Sequence, residues 1–139
     1  ELLHTLGLYH EQDRYDRDSY IRINNTNMRD DAIRDYIRKN ISEIDLLGTA
    51  YDFSSIMHYS PYAFAKNLRW PVVTPKPEFS KGTWLGQRYA LSQLDVLRIQ
   101  RLYHCPEDVS HILSDISEDK RLSWCDFENG ICDFFVSVS

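Results

Sequence analysis

Glu1-Leu2-Leu3-His4-Thr5-Leu6-Gly7-Leu8-Tyr9-His10-Glu11 opens the chain. Its spacing is E-x-x-H-x-x-G-x-x-H, which is the pattern H-E-x-x-H-x-x-G-x-x-H without its first letter. Two histidines separated by one helical turn lie on the same face and can share a metal ion. In this chain the first of them would precede Glu1, and the second is His4. A glutamate beside the first histidine stands next to the metal, where it can take a proton from bound water. Gly7 sits where the helix should stop, because glycine accepts the left-handed conformation that turns the chain. The turn brings His10 back as a third ligand. Three protein ligands leave a fourth position open for water, the arrangement of a catalytic rather than a structural zinc site. Zinc lowers the pKa of such a water to about 7.

The second half of the pattern lies downstream, in the apolar and aromatic run from Tyr51 to Tyr59. Ser55-Ile56-Met57-His58-Tyr59 carries a methionine that can form an apolar floor beneath ligand histidines. Tyr59 can present its phenol to the metal or to a developing oxyanion. Together the two segments predict a zinc peptidase that uses one metal-activated water. A serine or cysteine nucleophile is not needed.

These segments resemble the astacin family of metzincin peptidases. His10-Glu11-Gln12-Asp13-Arg14-Tyr15-Asp16-Arg17-Asp18 is similar to that family's H-E-x-x-R-x-D-R-D run. Ser55 to Tyr59 is similar to its S-x-M-H-Y. Gly86-Gln87-Arg88, Leu91-Ser92 and Leu102-Tyr103-His104-Cys105 resemble the end of its catalytic domain. The resemblance implies an α+β fold, specifically the C-terminal part of a metzincin catalytic domain, built mostly of helices and irregular loops. It implies Glu1 as general base, and His4 and His10 as two of three ligands to one zinc ion. Met57 would be the Met-turn residue, and Tyr59 an extra ligand that swings to stabilise the transition state. Glu11 would contact the mature N-terminus, and Arg88 would favour acidic residues just after the scissile bond. His58 is not a ligand in that pattern. The upstream half of the family domain and the first histidine are missing from the chain. A fragment inactive by itself is therefore expected, cut from a parent that cleaves internal peptide bonds of proteins or peptides. The alternative is a secreted adhesion or binding protein with a dead protease fold.

Composition narrows the partners. At 139 residues and 42% hydrophobic content the chain is globular. A net charge of −5, with basic and acidic side chains interspersed, argues against nucleic acid. No apolar run approaches the roughly 20 residues of a membrane helix. Three cysteines are an odd count. Cys125 and Cys132 are spaced to pair with each other, or all three are reduced thiols. By resemblance, the partner of Cys105 would lie upstream of the chain. Asn24-Asn25-Thr26 and Asn40-Ile41-Ser42 are glycosylation acceptor patterns, which favour a secreted or extracellular setting.

Local patterning predicts the elements. Helix is expected over Glu1 to Leu6, over Asp30 to Lys39 with Ile33 and Ile37 stacked, and from Ser92 towards Cys105. Ser92 and Asp95 have capping-box spacing. Tyr20 to Ile23 reads as a short extended piece, and Ile41 to Tyr51 as a connector. Trp70 to Trp84 is rich in proline and reads as a surface loop near the cleft. Arg17, between Asp16 and Asp18, is placed to brace the loop that holds His10. These expectations divide the chain into a peptidase portion (1–105), a polar linker (106–123) and a final segment (124–139). Trp124 to Cys132 in that last segment resembles the opening of a MAM β-sandwich module.

Overall fold

The computed structural model describes residues 2–105. The expectations for Glu1, for the linker, and for Cys125, Cys132 and the MAM-like segment lie outside the described residues.

The chain begins with α1 (Leu2–Thr5), which buries Leu3. Two short 3-10 turns follow, Glu11–Asp13 and Arg17–Ser19. Strand β1 (Ile21–Ile23) then pairs antiparallel with β2 (Val73–Pro75), placing Arg22 opposite Thr74. A third 3-10 segment, Asp30–Tyr36, lies between the strands in sequence, and a fourth, Pro77–Phe79, follows β2. The last described element is α2 (Gln93–Leu102).

The core sits around the two-stranded sheet. Ile21, Met28, Ala32, Tyr36, Tyr51, Val72, Val73 and Leu85 form one buried cluster, with Phe53, Tyr59 and Phe64 packed against it. Its aromatic rings are paired: Tyr20 and Tyr51 stack with centroids 4.7 Å apart and planes 14° from parallel. Such pairs add to plain burial, at about 0.5–1.5 kcal/mol each.

Two expectations need correction here. Asp30 to Tyr36 is a 3-10 segment rather than an α-helix, and Ile33 and Ile37 are exposed while Ala32 and Tyr36 are buried. Three aspartates and two β-branched isoleucines make Asp30 to Lys39 a poor α-former. No side-chain cap closes its N-terminus. Burial selects Tyr36, whose hydroxyl donates to the Ala63 carbonyl at 2.9 Å. The proline-rich Trp70 to Trp84 stretch is not wholly a surface loop, because it contains β2, and Val72 and Val73 are completely buried. Proline fixes φ near the extended value and is tolerated at strand ends, so Pro75 can sit opposite Ile21.

α2 matches its expected capping. Ser92 accepts from the Asp95 amide and Asp95 accepts from the Ser92 amide, at 2.9 and 3.0 Å. The buried side of this helix is nevertheless polar. Asp95 and Arg98 are its buried residues, whereas Leu102 and Tyr103 are exposed.

Candidate metal centre

α1 ends because Gly7 takes φ +98°, which a side chain would resist. The closing turn is hydrogen-bonded, Gly7 to His4 at 2.9 Å and Leu8 to Leu3 at 3.0 Å. The reversal returns His10 to His4. Their Nε2 atoms are 3.2 Å apart, and the rings meet edge to face with centroids at 4.4 Å.

Each ring is held by its other nitrogen. His4 Nδ1 donates to the Leu8 carbonyl at 2.8 Å, and His10 Nδ1 donates to the Met57 carbonyl at 2.9 Å. A carbonyl can only accept, so Nδ1 carries the proton and the neutral ring keeps its lone pair on Nε2. Two lone pairs then converge on one point, which is unfavourable unless a cation shares them. Two imidazole nitrogens about 2.05 Å from one tetrahedral zinc would stand about 3.3 Å apart. The observed 3.2 Å fits that donor set. Among the described residues, no group of three His, Cys, Asp or Glu forms a complete metal site.

The turn at Met57 is fastened from several sides. Met57 is buried, and its amide donates to Ser55 Oγ at 3.0 Å. Ser55 Oγ donates to Asp95 Oδ1 at 2.6 Å, and the Ile56 amide donates to Asp95 Oδ2 at 2.9 Å. Arg88 Nη1 donates to the carbonyls of Ile56 and His58, each at 3.0 Å. Gly86 packs close by, and a Cβ there would meet Ser60 Cα at 2.3 Å. Tyr59 leaves this turn with its ring 4.4 Å from that of His10. Its amide donates to Gln12 Oε1 at 3.0 Å. His58 points inward and is fully buried. Burial lowers its pKa to about 4, so the ring is neutral.

Glu11 is buried beside His10. Its carboxylate accepts from Arg98 at 2.5 and 2.9 Å, from Arg14 at 3.2 Å and from the Asp52 amide at 2.7 Å. Burial raises its pKa, and the Arg98 and Arg14 guanidiniums oppose that rise. The sequence resemblance assigns Glu11 to a chain terminus, but within the described residues its oxygens are taken up by guanidiniums. Arg17 reaches the same loop, donating to the Gln12 carbonyl at 2.7 Å. Asp13 is buried too, and burial lifts its carboxyl to about 6 against the charges of Arg17 and Lys39.

His4, Gly7, His10, Met57 and Tyr59 therefore meet in one place. Glu11 and Arg88 stand just behind it. Sequence reading missed Asp95, Arg98 and Gln12 as supports. The helical pattern presented Asp95 as a cap and Arg98 as one point on a surface stripe. Neither signal reveals a partner 40 or 87 residues away.

Comparison with known proteins bears on the family of the chain. Residues 1–104 match the model of the Astacin peptidase family. Zinc metalloproteinase nas-13 of Caenorhabditis elegans is 42% identical over 106 residues, covering 76% of this chain and 23% of that protein. Meprin A subunit alpha of Mus musculus is 38% identical over 138 residues, covering 96% of this chain and 17% of that protein. Among solved structures, high choriolytic enzyme 1, a hatching enzyme zinc-protease from Oryzias latipes, matches with TM-score 0.71 and 40% identity. That match covers 76% of this chain and 50% of the other. The chain thus spans less than a quarter of the length of these two curated relatives.

Proposed function

Because the chain belongs to the astacin family of peptidases, we propose that it supplies the zinc-binding portion of a zinc-dependent endopeptidase acting on proteins or peptides. The observation that carries this reading is the convergence of the His4 and His10 Nε2 atoms at 3.2 Å, with each ring's opposite nitrogen tied to a carbonyl.

His4, His10 and a histidine preceding Glu1 would hold one zinc ion. When bound, zinc would polarise the scissile carbonyl and acidify a water to a pKa near 7. Glu1 would be the group that holds a proton taken from the attacking water and passes one to the leaving amine. Tyr59 donates to the oxygen that becomes negative in the transition state, an interaction typically worth about 3 kcal/mol of barrier. Met57 and Glu11 hold the loop and turn that orient the ligands. Arg88 biases cleavage towards acidic residues after the scissile bond. We read 124–139 as the start of a MAM-like module on the resemblance carried by Trp124 to Cys132. A secreted or extracellular location follows from the same reading and from the two glycosylation patterns, whose residues are exposed.

The test uses the parent protein. Removal of zinc by a chelator is expected to abolish cleavage and its return to restore it. Glu1→Gln is expected to abolish turnover with zinc content nearly unchanged. Cleavage that persists without zinc would refute the proposal. A residue other than histidine before Glu1 would favour instead a binding protein with a dead protease fold.

A further inference from the structure

His58 lies between two residues of the site, yet both of its nitrogens are engaged away from the His4–His10 pair. Nδ1 is 2.8 Å from the Tyr59 carbonyl, and Nε2 is 2.8 Å from the Tyr51 hydroxyl. The carbonyl can only accept, so Nδ1 carries the proton. Nε2 of the neutral ring is then an acceptor, and Tyr51 donates to it. Both partners are fixed in turn. Tyr51 is buried, stacked on Tyr20 at 4.7 Å, and covered on its ring by Arg14 at 5.3 Å.

This chain of contacts ends on the backbone of Tyr59. The Tyr59 carbonyl is gripped by His58 and the Tyr59 amide by Gln12 Oε1. Both polar backbone groups of one residue are thus claimed by buried side chains from different segments. The Tyr59 side chain extends from that fixed root to meet the His10 ring at a tilt of 56°, with centroids 4.4 Å apart. A plain core histidine would need satisfied nitrogens and nothing more. Here the satisfied nitrogens link a buried aromatic stack to the residue proposed to donate to the oxyanion.

We propose that His58, oriented by Tyr51, is a positioning residue that clamps the main chain of Tyr59 and so fixes the origin from which its phenol reaches the reacting carbonyl. The proposal rests on the peptidase reading given above. A misplacement of about 1 Å in a catalytic group can cost about 100-fold in rate, so a loosened root should appear in turnover before it appears in substrate binding.

The experiment separates positioning from packing. In the parent protein, Tyr51→Phe with His58→Leu removes the buried Tyr51–His58 hydrogen bond as a unit, so that the one group deprived of its His58 donor is the part-buried Tyr59 carbonyl. Expected are a modest loss of thermal stability, unchanged zinc content and KM within about twofold, but a kcat lower by about 10- to 100-fold. Tyr51→Phe with His58→Asn returns an amide donor near the position of Nδ1 and should recover most of that loss. Wild-type kcat in the leucine variant would overturn the proposal, and so would equal losses in the leucine and asparagine variants. Ring nitrogen NMR of the zinc-free parent gives a second readout independent of catalysis. A proton fixed on Nδ1 and a bare Nε2 are expected. A proton found on Nε2 would overturn the clamp, whether or not the protein cleaves peptides. An inactive wild-type parent whose NMR shows the Nδ1 tautomer would refute the peptidase reading and retain the clamp.

Discussion

Replacing Arg98 by methionine probes how the loop bearing His10 is held. The methionine keeps much of the buried stem and removes the guanidinium. Lost are two charge-assisted bonds to Glu11, at 2.5 and 2.9 Å, and the bonds to Thr49 Oγ1 at 2.8 Å and the Ala50 carbonyl at 3.2 Å. Glu11 keeps the Asp52 amide and Arg14, and Arg14 also serves the Ala50 carbonyl. Breaking a buried pair costs about 3–5 kcal/mol, and the retained donors place this case near the lower end, at about 3–4 kcal/mol. In a domain of about 150–250 residues that lowers Tm by roughly 6–16 °C. Urea unfolding of the zinc-loaded parent measures the loss directly. Adding Glu11→Gln to the Arg98→Met protein removes the unpaired buried charge and should recover at least about 1.5 kcal/mol relative to the sum of the two single changes. If the double variant loses as much as both singles added together, Glu11 and Arg98 are not energetically coupled and the account of this cluster is wrong.

Gly86→Ala forces a Cβ against the Ser60 backbone at a φ of +77°, and should cost about 2–5 kcal/mol with a fall in kcat, read by chemical denaturation and kinetics. Asp13 has a folded pKa of about 6 against an ordinary value of 3.8, so its contribution to stability is present below pH 4 and is lost as pH rises through 6. Asp13→Asn should therefore raise stability above pH 6, by up to about 3 kcal/mol, and by much less at pH 4; equal Tm changes at both pH values in chelator would contradict this. Arg88→Gln should lower kcat/KM for peptides acidic after the scissile bond about 10-fold more than for neutral ones. A uniform fall would leave Arg88 only its bonds to the Ile56 and His58 carbonyls.

Local chemistry was readable from the chain, and long-range pairing was not. The Gly7 helix stop, the extended piece (observed over Ile21–Ile23, with Tyr20 still in the preceding turn) and the Ser92–Asp95 cap depend on conformational preferences of a few adjacent residues, and each is found. The convergence of His4 and His10 was also legible, because one glycine turn joins them. Asp30 to Tyr36 misled because its apolar spacing outvoted its weak helix propensity. β2 was hidden by prolines that usually signal loops, although extended φ suits both states. Arg98 and Glu11 are 87 residues apart, and a charge pair at that distance leaves no periodic trace. Arg88 was assigned a role towards substrate, and its bonds to the backbone of the Met57 turn became visible only in three dimensions.

Asp95 closes the first turn of α2 with one set of lone pairs and grips Ser55 and Ile56 with the rest. One carboxylate therefore sets both where a helix begins and where the floor of the site lies. Fraying at that helix end and release of the floor become a single cooperative opening. Amide protons on Asp95 and Ile56, far apart along the chain, should exchange with solvent at a common rate, so that any loosening of this helix is felt at once where peptides would be cut.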